Sequence, residues 1–404
     1  MRHDTDRRRG AVEANLSLVP HATLADVVAI MEGLYPPSLA ASWDAVGLVC
    51  GDPAQPVGRV LFAVDPVEVV VDEAIERGAD LLVTHHPLFL HGTSTVAATT
   101  AKGRSVHRLI RAGIALHVAH TNADHANPGV SDALAAALGL VDARPLEPLP
   151  APSLDKVVTF VPEAHAEKLL DALAAAGAGE IGHYARCAWT AAGVGTFQPL
   201  PGATPAIGSV GDVTRVDEIR IEMVLPRAAR DEVIHALRTA HPYEEPAFDV
   251  LELASWPGDT GTGRVGELPT AVTLRDFASA VGAALPSTAG GGRVAGELSA
   301  MVRRVAVCGG AGDGYLRQAT ASGSDAFVTA DLRHHVVSEH LADGGCAVVD
   351  MPHWATEWPW LGAAADALRA GLAQRGTTVS TDVSTVPTDP WVARVDAGAR
   401  KDPH

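Results

Sequence analysis

One nine-residue pattern occurs twice in this 404-residue chain. Gly78 to His86 reads GADLLVTHH, and Gly323 to Asp331 reads GSDAFVTAD. Each copy follows an apolar run and a helix-like stretch, and each leads into another apolar run. Short apolar runs that alternate with helices are typical of a mostly parallel β-sheet covered on both faces. The duplication therefore predicts an α/β domain built from two βαβ-type halves that are related by a pseudo-twofold.

A second, shorter duplication lies between the two copies of the first. FVPEAHAEKLLDALAAA begins at Phe160, and VLPRAARDEVIHALRTA begins at Val224. Each reads as a strand, a proline and an amphipathic helix, and the apolar run FDVLEL follows the second copy. This arrangement predicts that a ferredoxin-like α+β domain is inserted into the α/β domain.

Segments rich in proline and glycine mark the limits of this insert. They read PLEPLPAPS on its amino-terminal side and SWPGDTGTG on its carboxyl-terminal side. We therefore predict that residues 20–150 form the first half of the α/β domain, residues 153–255 form the insert, and residues 257–395 form the second half. A functional site is expected where the carboxyl ends of the strands in the two halves face each other.

Charge and hydropathy exclude several classes of protein. The chain carries 31 Lys and Arg against 48 Asp and Glu, a formal net charge of −17, and 47% of its residues are hydrophobic. Such an acidic surface would repel a polyphosphate backbone, so nucleic acid is not an expected partner. Prolines and glycines interrupt the long uncharged stretch from Cys187 to Gly211, and the first residues lack the apolar run of a secretion signal. We expect a cytoplasmic globular protein without a membrane span.

Two adjacent histidines directly follow the apolar residues of the first repeat copy. In THHP, His85 and His86 follow the strand residues LLVT, and Pro87 ends the strand. Adjacent residues of a strand point to opposite sides, so two metal ions flanking the strand end could each take one imidazole. A pair of half-buried histidines that cap a loop is the alternative interpretation.

Two further clusters occupy similar positions at the ends of predicted strands. HTNAD offers the Asp124 carboxylate as a hard ligand, with His120 as an imidazole behind it. PHWATEW places His353 and Glu357 one turn apart on a predicted helix, so that nitrogen and oxygen atoms can converge. Taken singly, these clusters could also be a helix cap and an exposed helical pair.

The coincidence of all three clusters at facing strand ends favours one metal site over three unrelated explanations. The predicted ligands are three imidazoles and two carboxylates, namely His85, His86, His353, Asp124 and Glu357. Such a mixed set suits zinc, iron, manganese or cobalt. Two divalent ions there would favour a bound hydroxide at neutral pH, as in dinuclear hydrolytic centres.

Counting ligands leads to an expected distribution of the metal ions. We expect about two ions per chain, one held by His86 and Asp124 and the other held by His85 and His353. Glu357 is expected to touch both ions, because a carboxylate has two oxygens.

Seven motifs spread over the chain from about Leu24 to Val395 resemble one known family. They are WDAVGL, THHP, HTNADHANPGVSDALA, GTFQP, HPYEEPAFD, VCGGAG and HWATE. They resemble the dinuclear metal centre hexameric proteins, also called NGG-interacting-factor-three-like proteins or GTP cyclohydrolase 1 type 2 homologues. The resemblance implies a toroidal homohexamer of stacked trimers whose metal sites open into an internal cavity. It also implies the same five ligands, with Glu357 as the bridge.

Three positions depart from the pattern of this family without removing a ligand. They are Ala45, Ala330 and Pro352, where the family usually has Asn, Gly and a small residue. These departures leave open whether Asp331 and His335 have a polar role near the metal ions or a structural role.

The insert contains its own polar cluster in the motif HPYEEPAFD. His241, Glu244 and Glu245 are expected to form a rim or gate of the cavity. A turn with solvated carboxylates is the alternative.

Two functions remain open at this point. The first is an enzyme in which a metal-activated hydroxide attacks a small, nucleotide-like substrate. The family name points to opening of the imidazole ring of GTP, whereas phosphoester hydrolysis would use the same two metal ions equally well. The second is a non-catalytic metal-binding or regulatory protein that uses the insert to dock a partner.

Overall fold

A computed structural model describes residues 22–395 of the chain, and this range forms a mixed α/β fold with several sheets and eleven helices. None of the helices in this range combines the length and the apolar character that crossing a bilayer requires. The chain divides into two compact units. Among the described residues, the first unit contains 22–148 and 259–395, and the second unit is Leu149–Gly258. The predicted insert lies inside the second unit, and its status as an independent domain stays a prediction.

The elements follow in three groups along the chain. The first group is β1 Ala22–Thr23, α1 Leu24–Leu34, β2 Gly47–Cys50, β3 Pro56–Val57, β4 Arg59–Ala63, α2 Glu68–Glu76, β5 Leu81–Thr84, α3 Ala101–Ala112, β6 Ala115–Val118, α4 Thr121–His125, α5 Val130–Ala137 and β7 Val141–Pro150. The second group is β8 Leu154–Pro162, α6 Ala166–Ala175, β9 Trp189–Phe197, β10 Thr214–Pro226, α7 Arg230–Ala240 and β11 Phe248–Glu252. The third group is β12 Pro257–Thr273, α8 Leu274–Ala284, β13 Arg293–Ala295, β14 Met301–Ala311, α9 Leu316–Ala321, β15 Ala326–Ala330, α10 His334–Ala342, β16 Ala347–Asp350, α11 His353–Gln374 and β17 Ser380–Val383.

Two sheets organise the first unit, and the two copies of the nine-residue pattern lie in different sheets. The five-stranded sheet has the order β17-β4-β5-β6-β2, in which only the edge strand β2 is antiparallel to its neighbour. The six-stranded sheet has the order β13-β16-β15-β14-β12-β7. In this second sheet β14, β15 and β16 are parallel, whereas β12 and β13 pair antiparallel with their neighbours. The prediction of a mostly parallel sheet is therefore right for the first sheet, whereas the second sheet is mixed.

Helix α11 joins the two sheets through one hydrophobic cluster. Trp360 and Leu368 of this helix are almost fully buried, and they share the cluster with Phe62 of β4 and Val307 of β14. Burial of an apolar side chain of this size contributes about 1.5–3 kcal/mol. This packing fixes the position of the first turn of α11, which carries His353 and Glu357.

The second unit consists of a four-stranded antiparallel sheet and two helices. The strand order is β11-β8-β10-β9, and the elements follow along the chain as β8-α6-β9-β10-α7-β11. Leu169 and Leu173 of α6 share one buried cluster with Val233 and Leu237 of α7 and with Ile221 of β10. The second unit therefore has a hydrophobic core of its own.

His117 in β6 makes folding sensitive to acid. Its side chain is buried, and neither ring nitrogen has a hydrogen-bond partner among the described residues. Burial lowers the pKa of His117 from 6.5 to about 4. Between pH 6.5 and about pH 4, the unfolded chain binds a proton at this histidine that the folded chain does not bind. The free energy of unfolding therefore falls as the pH falls through this range.

For His117→Leu we expect the free energy of unfolding to decrease less between pH 7 and pH 5 than it does in the unmodified chain. The expected difference is about 2 kcal/mol, because the variant has no proton to exclude at this position. Urea unfolding at the two pH values measures it, with His107→Leu at an exposed position of α3 as the control. An unchanged pH dependence in His117→Leu would contradict this account of the buried ring.

Candidate metal centre

The ends of three elements position the predicted ligands. His85 and His86 directly follow β5, and their backbone N–H groups donate to the carbonyls of Ala63 and Val64 at 3.2 and 2.8 Å. Asp124 lies in the short helix α4, which follows β6, and not at a strand end as the sequence suggested. His353 is the first residue of α11, so the prediction that His353 and Glu357 lie one helical turn apart is confirmed.

These elements bring the five predicted ligands together in one cluster, with Glu357 at its centre. Nε2 of His353 lies 2.9 Å from Oε1 of Glu357, and Nε2 of His85 lies 3.4 Å from the same oxygen. Nε2 of His86 lies 3.1 Å from the other carboxylate oxygen, Oε2. Oδ1 of Asp124 lies 3.7 Å from Nε2 of His85. One buried carboxylate therefore faces three imidazole nitrogens.

The outer nitrogen of each imidazole has a partner that fixes the ring. Nδ1 of His85 donates to the backbone carbonyl of Ala119 at 2.9 Å. Nδ1 of His86 donates to Asp65, and Nδ1 of His353 donates to Asp331, both at 2.7 Å. In the neutral tautomer that these bonds favour, the Nε2 lone pair of each ring is available for a metal ion.

Two buried polar atoms at the centre make no hydrogen bond to the described residues. They are Nε2 of His85 and Oε2 of Glu357. A buried polar atom without a partner costs about 1–3 kcal/mol, more for a charged group. Gly310 borders the same space, and a Cβ atom there would collide with Oε1 of Glu357 and press against Nε2 of His353. Lone-pair atoms without a hydrogen bond, around a space that a glycine keeps open, fit a metal ion.

The carboxylate and the imidazoles shift each other's protonation. Burial would raise the pKa of Glu357, but His86, His85 and His353 outweigh burial and hold this pKa well below its usual value. Burial would lower the pKa values of His86 and His353, but the Glu357 carboxylate raises both. The negative charge of Glu357 thus favours positive charge among the surrounding rings, and a divalent cation would compete with protons for their Nε2 atoms.

His120, which the sequence analysis placed behind the ligands, lies beside two of them. The ring centres of His120 and His85 are 5.2 Å apart, and those of His120 and His86 are 5.6 Å apart. Ligand atoms of these three histidines lie within 4.8 Å of one another, as do those of His86, His353 and Glu357. His120 is thus close enough to be a further ligand.

The proximity of the side chains differs from the pairing that the sequence suggested. Oδ1 of Asp124 lies 3.7 Å from Nε2 of His85, and Nε2 of His353 lies 3.3 Å from Nε2 of His86, although His85 and His353 both face Oε1 of Glu357. The sheet order explains the difference. Strand β5 lies between β4 and β6, and His85 bonds to Ala119 after β6, whereas His86 bonds to Asp65 after β4. Asp124, which also follows β6, therefore lies on the His85 side.

Sequence reasoning missed two carboxylates that hold the histidines. The side chain of Asp44 is fully buried, and it accepts from Nδ1 of His120 at 2.9 Å and from the backbone N–H of Thr121 at 3.0 Å. Asp65 follows β4 and holds His86. The signals were present, since Asp44 belongs to the WDAVGL motif and Asp65 directly follows an apolar strand.

Asp331 and His335 have different surroundings. Asp331 contacts Nδ1 of His353, as described above, and its backbone has a left-handed φ of 59°. His335 is exposed on α10, and its ring pairs with that of His334 at 5.2 Å between centres. The structure thus brings Asp331 to the candidate centre, whereas His335 makes no recorded contact with its residues.

The polar cluster of the second unit does not form one group. His241 is buried, its Nε2 donates to the carbonyl of Phe160 at 2.9 Å, and its Nδ1 accepts from the N–H of Tyr243 at 3.1 Å. Glu244 accepts from the N–H of Thr204 at 2.9 Å, and Glu245 is exposed. His241 therefore stabilises a turn, and the rim or gate stays a prediction.

A cavity of about 730 Å³ borders the candidate centre within the first unit. Asp65, His86, Asp331 and His353 line its inner side. The remaining wall includes the guanidinium of Arg293, which is paired with Asp350, and the exposed indole of Trp391. A small molecule in this cavity would lie directly against the imidazoles of His86 and His353.

Comparisons with known proteins agree with the sequence resemblance. The chain is 50% identical to the GTP cyclohydrolase 1 type 2 homolog of Mycobacterium leprae over 94% of this chain and 97% of that protein. It is 52% identical to the homolog of the same name in Mycobacterium tuberculosis over 91% and 96%.

Solved structures of similar proteins cover the chain almost completely. A Bacillus cereus protein related to NIF3 is 38% identical with a TM-score of 0.73, covering 92% of this chain and 99% of that one. Staphylococcus aureus protein SA1388 is 29% identical with a TM-score of 0.79, covering 92% and 98%. Residues 22–390 match the description Duf34/NIF3, NGG1p interacting factor 3. The resemblance seen in the sequence motifs is therefore confirmed, and the chain belongs to the Duf34/NIF3 family.

Proposed function

We propose that this chain is a dinuclear metal-dependent hydrolase-like protein that acts on a small, nucleotide-like substrate. The observation that carries the proposal is the buried Glu357 carboxylate, which faces the Nε2 atoms of three oriented imidazoles. Two divalent ions bound there would supply a nucleophilic hydroxide from water at neutral pH and a positive field for developing negative charge. Zinc, iron, manganese and cobalt suit this set of nitrogen and oxygen ligands.

The proposed ligand assignment follows the proximity of the side chains. His85 and Asp124 hold one ion, with His120 nearby, and His86 and His353 hold the other. Glu357 lies between the two groups, so it is the proposed bridge.

The other residues orient these ligands and bind the substrate. Asp65 and Asp331 hold the rings of His86 and His353, and Asp44 holds that of His120. The neighbouring cavity offers the exposed indole of Trp391 to a planar base, and a phosphate group could share the Arg293 guanidinium with its partner Asp350. This combination of wall residues supports a nucleotide-like substrate. The name of the relatives, GTP cyclohydrolase 1 type 2 homolog, adds GTP as a candidate.

We also propose the finer architecture that the sequence suggested. The two parallel strand sets, β4-β5-β6 and β14-β15-β16, support two pseudo-twofold-related halves, residues 20–150 and 257–395. The order β11-β8-β10-β9 supports a ferredoxin-like insert at residues 153–255. The family resemblance supports a cytoplasmic homohexamer, and light scattering of the purified chain measures this assembly directly.

Turnover by the metal-loaded chain tests the proposed activity. We expect hydrolysis of at least one member of a panel of GTP, other nucleotides and generic phosphoesters. Asp124→Ala should abolish this turnover, since it removes a carboxylate from the centre, and Asp343→Ala at an exposed position after α10 should retain it. Loss of activity in both variants would contradict a specific role for Asp124.

The second candidate function is a non-catalytic metal-binding or regulatory protein that uses the insert as a surface for docking a partner. The separate hydrophobic core of the second unit favours this alternative, because a docking module has to be stable by itself. A fully metal-loaded chain without turnover across the whole panel would support it over the enzyme.

A further inference from the structure

A second cavity lies entirely within the second unit. Its volume is about 630 Å³, and its walls include Phe160 of β8, residues of β9, and the motif that carries Tyr243. The rings of Phe197 and Tyr243 contact each other in this wall, with centres 5.8 Å apart. The GTFQP and HPYEEPAFD motifs thus meet at one cavity, and the function proposed for the metal centre does not involve this cavity.

A buried carboxylate in this cavity has one oxygen without a partner. The side chain of Glu218 belongs to β10, and the residue is only 9% exposed. Its Oε1 accepts a hydrogen bond from the hydroxyl of Tyr243 at 2.9 Å, while Oε2 has no hydrogen bond among the residues described. Burial and this carboxylate raise the pKa of Tyr243, so the phenol remains the donor. This oxygen is an acceptor without a protein donor, and a cationic donor bound in the cavity would form a charge-assisted hydrogen bond with it.

The chain keeps open the space in front of that carboxylate. Gly195 of β9 lies beside Glu218, and a Cβ atom at Gly195 would collide with Oε2. Any other residue at this position would therefore cover the free oxygen. The glycine leaves it accessible from the cavity.

The charges around the cavity favour a cation. Glu218, Glu244 and Glu245 line it together with a single guanidinium, that of Arg220. Arg220 is already paired with Glu222 at 2.9 Å and lies over the ring of Phe160. The carboxylates are therefore not neutralised within the cavity, and an anionic ligand would be repelled.

We propose that this cavity is a binding site for a small aromatic cation, such as an aryl amidine. The planar body packs against Phe197 and Tyr243, and the cationic group donates to Oε2 of Glu218. Aromatic rings around a desolvated cation add a favourable cation–π attraction. This site is independent of the metal centre and of the function proposed for it.

Calorimetric titration of the full metal-loaded chain with benzamidine tests the proposal. We expect saturable binding at one site per chain, at least about tenfold weaker binding of neutral benzamide, and no binding of benzoate. Benzamide is the matched probe, because it has almost the same shape but lacks the charge. Absence of saturable benzamidine binding, or equal affinity for benzamide, would overturn the proposal.

Variants locate the bound probe within the chain. Glu218→Gln should weaken benzamidine binding at least about tenfold, whereas Asp217→Asn, on the exposed face of the same strand, should leave it unchanged. Gly195→Val should block the site without any change in charge, and it decides the question if Glu218→Gln does not fold. Glu357→Gln should bind benzamidine normally, since it alters only the metal centre. Unchanged binding in both cavity variants would show that the probe binds elsewhere.

Discussion

Glu357→Gln is expected to remove both metal ions from the chain. The Glu357 carboxylate faces His85, His86 and His353, and its negative charge is the one that both proposed ion positions share. The amide of glutamine has the same shape but no charge and only one acceptor oxygen. Loss of a residue that hydrogen-bonds to a metal ligand typically lowers metal affinity about 10–100-fold. Loss of the proposed bridging ligand itself should therefore lower metal affinity more than about 100-fold.

Elemental analysis after dialysis measures this loss as metal ions per chain. Asp366→Asn is the matched control, because Asp366 is exposed on the same helix, α11, and remote from the candidate ligands in sequence. Circular dichroism checks that both variants remain folded. Two ions retained in a folded Glu357→Gln chain would exclude a bridging role for this carboxylate.

His353→Ala should leave about one ion per chain. This imidazole lies beside His86, whereas the group of His85, Asp124 and His120 does not depend on it. The ion held by His85 and Asp124 should therefore persist. These ligands follow β5 and β6, and the Nδ1 hydrogen bonds of His85 and His120 do not involve His353. His335→Ala, at an exposed histidine of α10, is the control that should retain the full metal content.

A double variant separates the two possible pairings of the ligands. His86→Ala combined with His353→Ala should still retain one ion if His85 and Asp124 form a pair. If His86 is instead paired with Asp124, as the sequence suggested, the double variant disrupts both positions and should retain none. Identical metal loss in His353→Ala and Glu357→Gln would contradict two separate positions.

Local geometry explains how much of the candidate centre could be predicted. His353 and Glu357 converge because residues four apart lie on one face of a helix, which holds wherever that helix is placed. His85 and His86 take Nδ1 partners on opposite sides, Ala119 and Asp65, as expected for neighbouring residues at a strand end, although both Nε2 atoms face Glu357. These relations depend only on a few consecutive residues. The repeated nine-residue pattern predicted, in addition, which strand ends face each other.

The chain's own sequence was therefore sufficient for the family, the mixed α/β class and the five side chains of the candidate centre, Glu357 among them. Tertiary structure was required for the partners of these side chains. Asp124 lies beside His85 because β6, and not β4, flanks β5 on that side, and this order depends on contacts between distant segments. The same holds for Glu218, whose free oxygen faces a cavity only because Gly195 lies on the neighbouring strand. Periodicity describes the direction of a side chain within its own element, whereas the long-range packing of elements decides what that side chain meets.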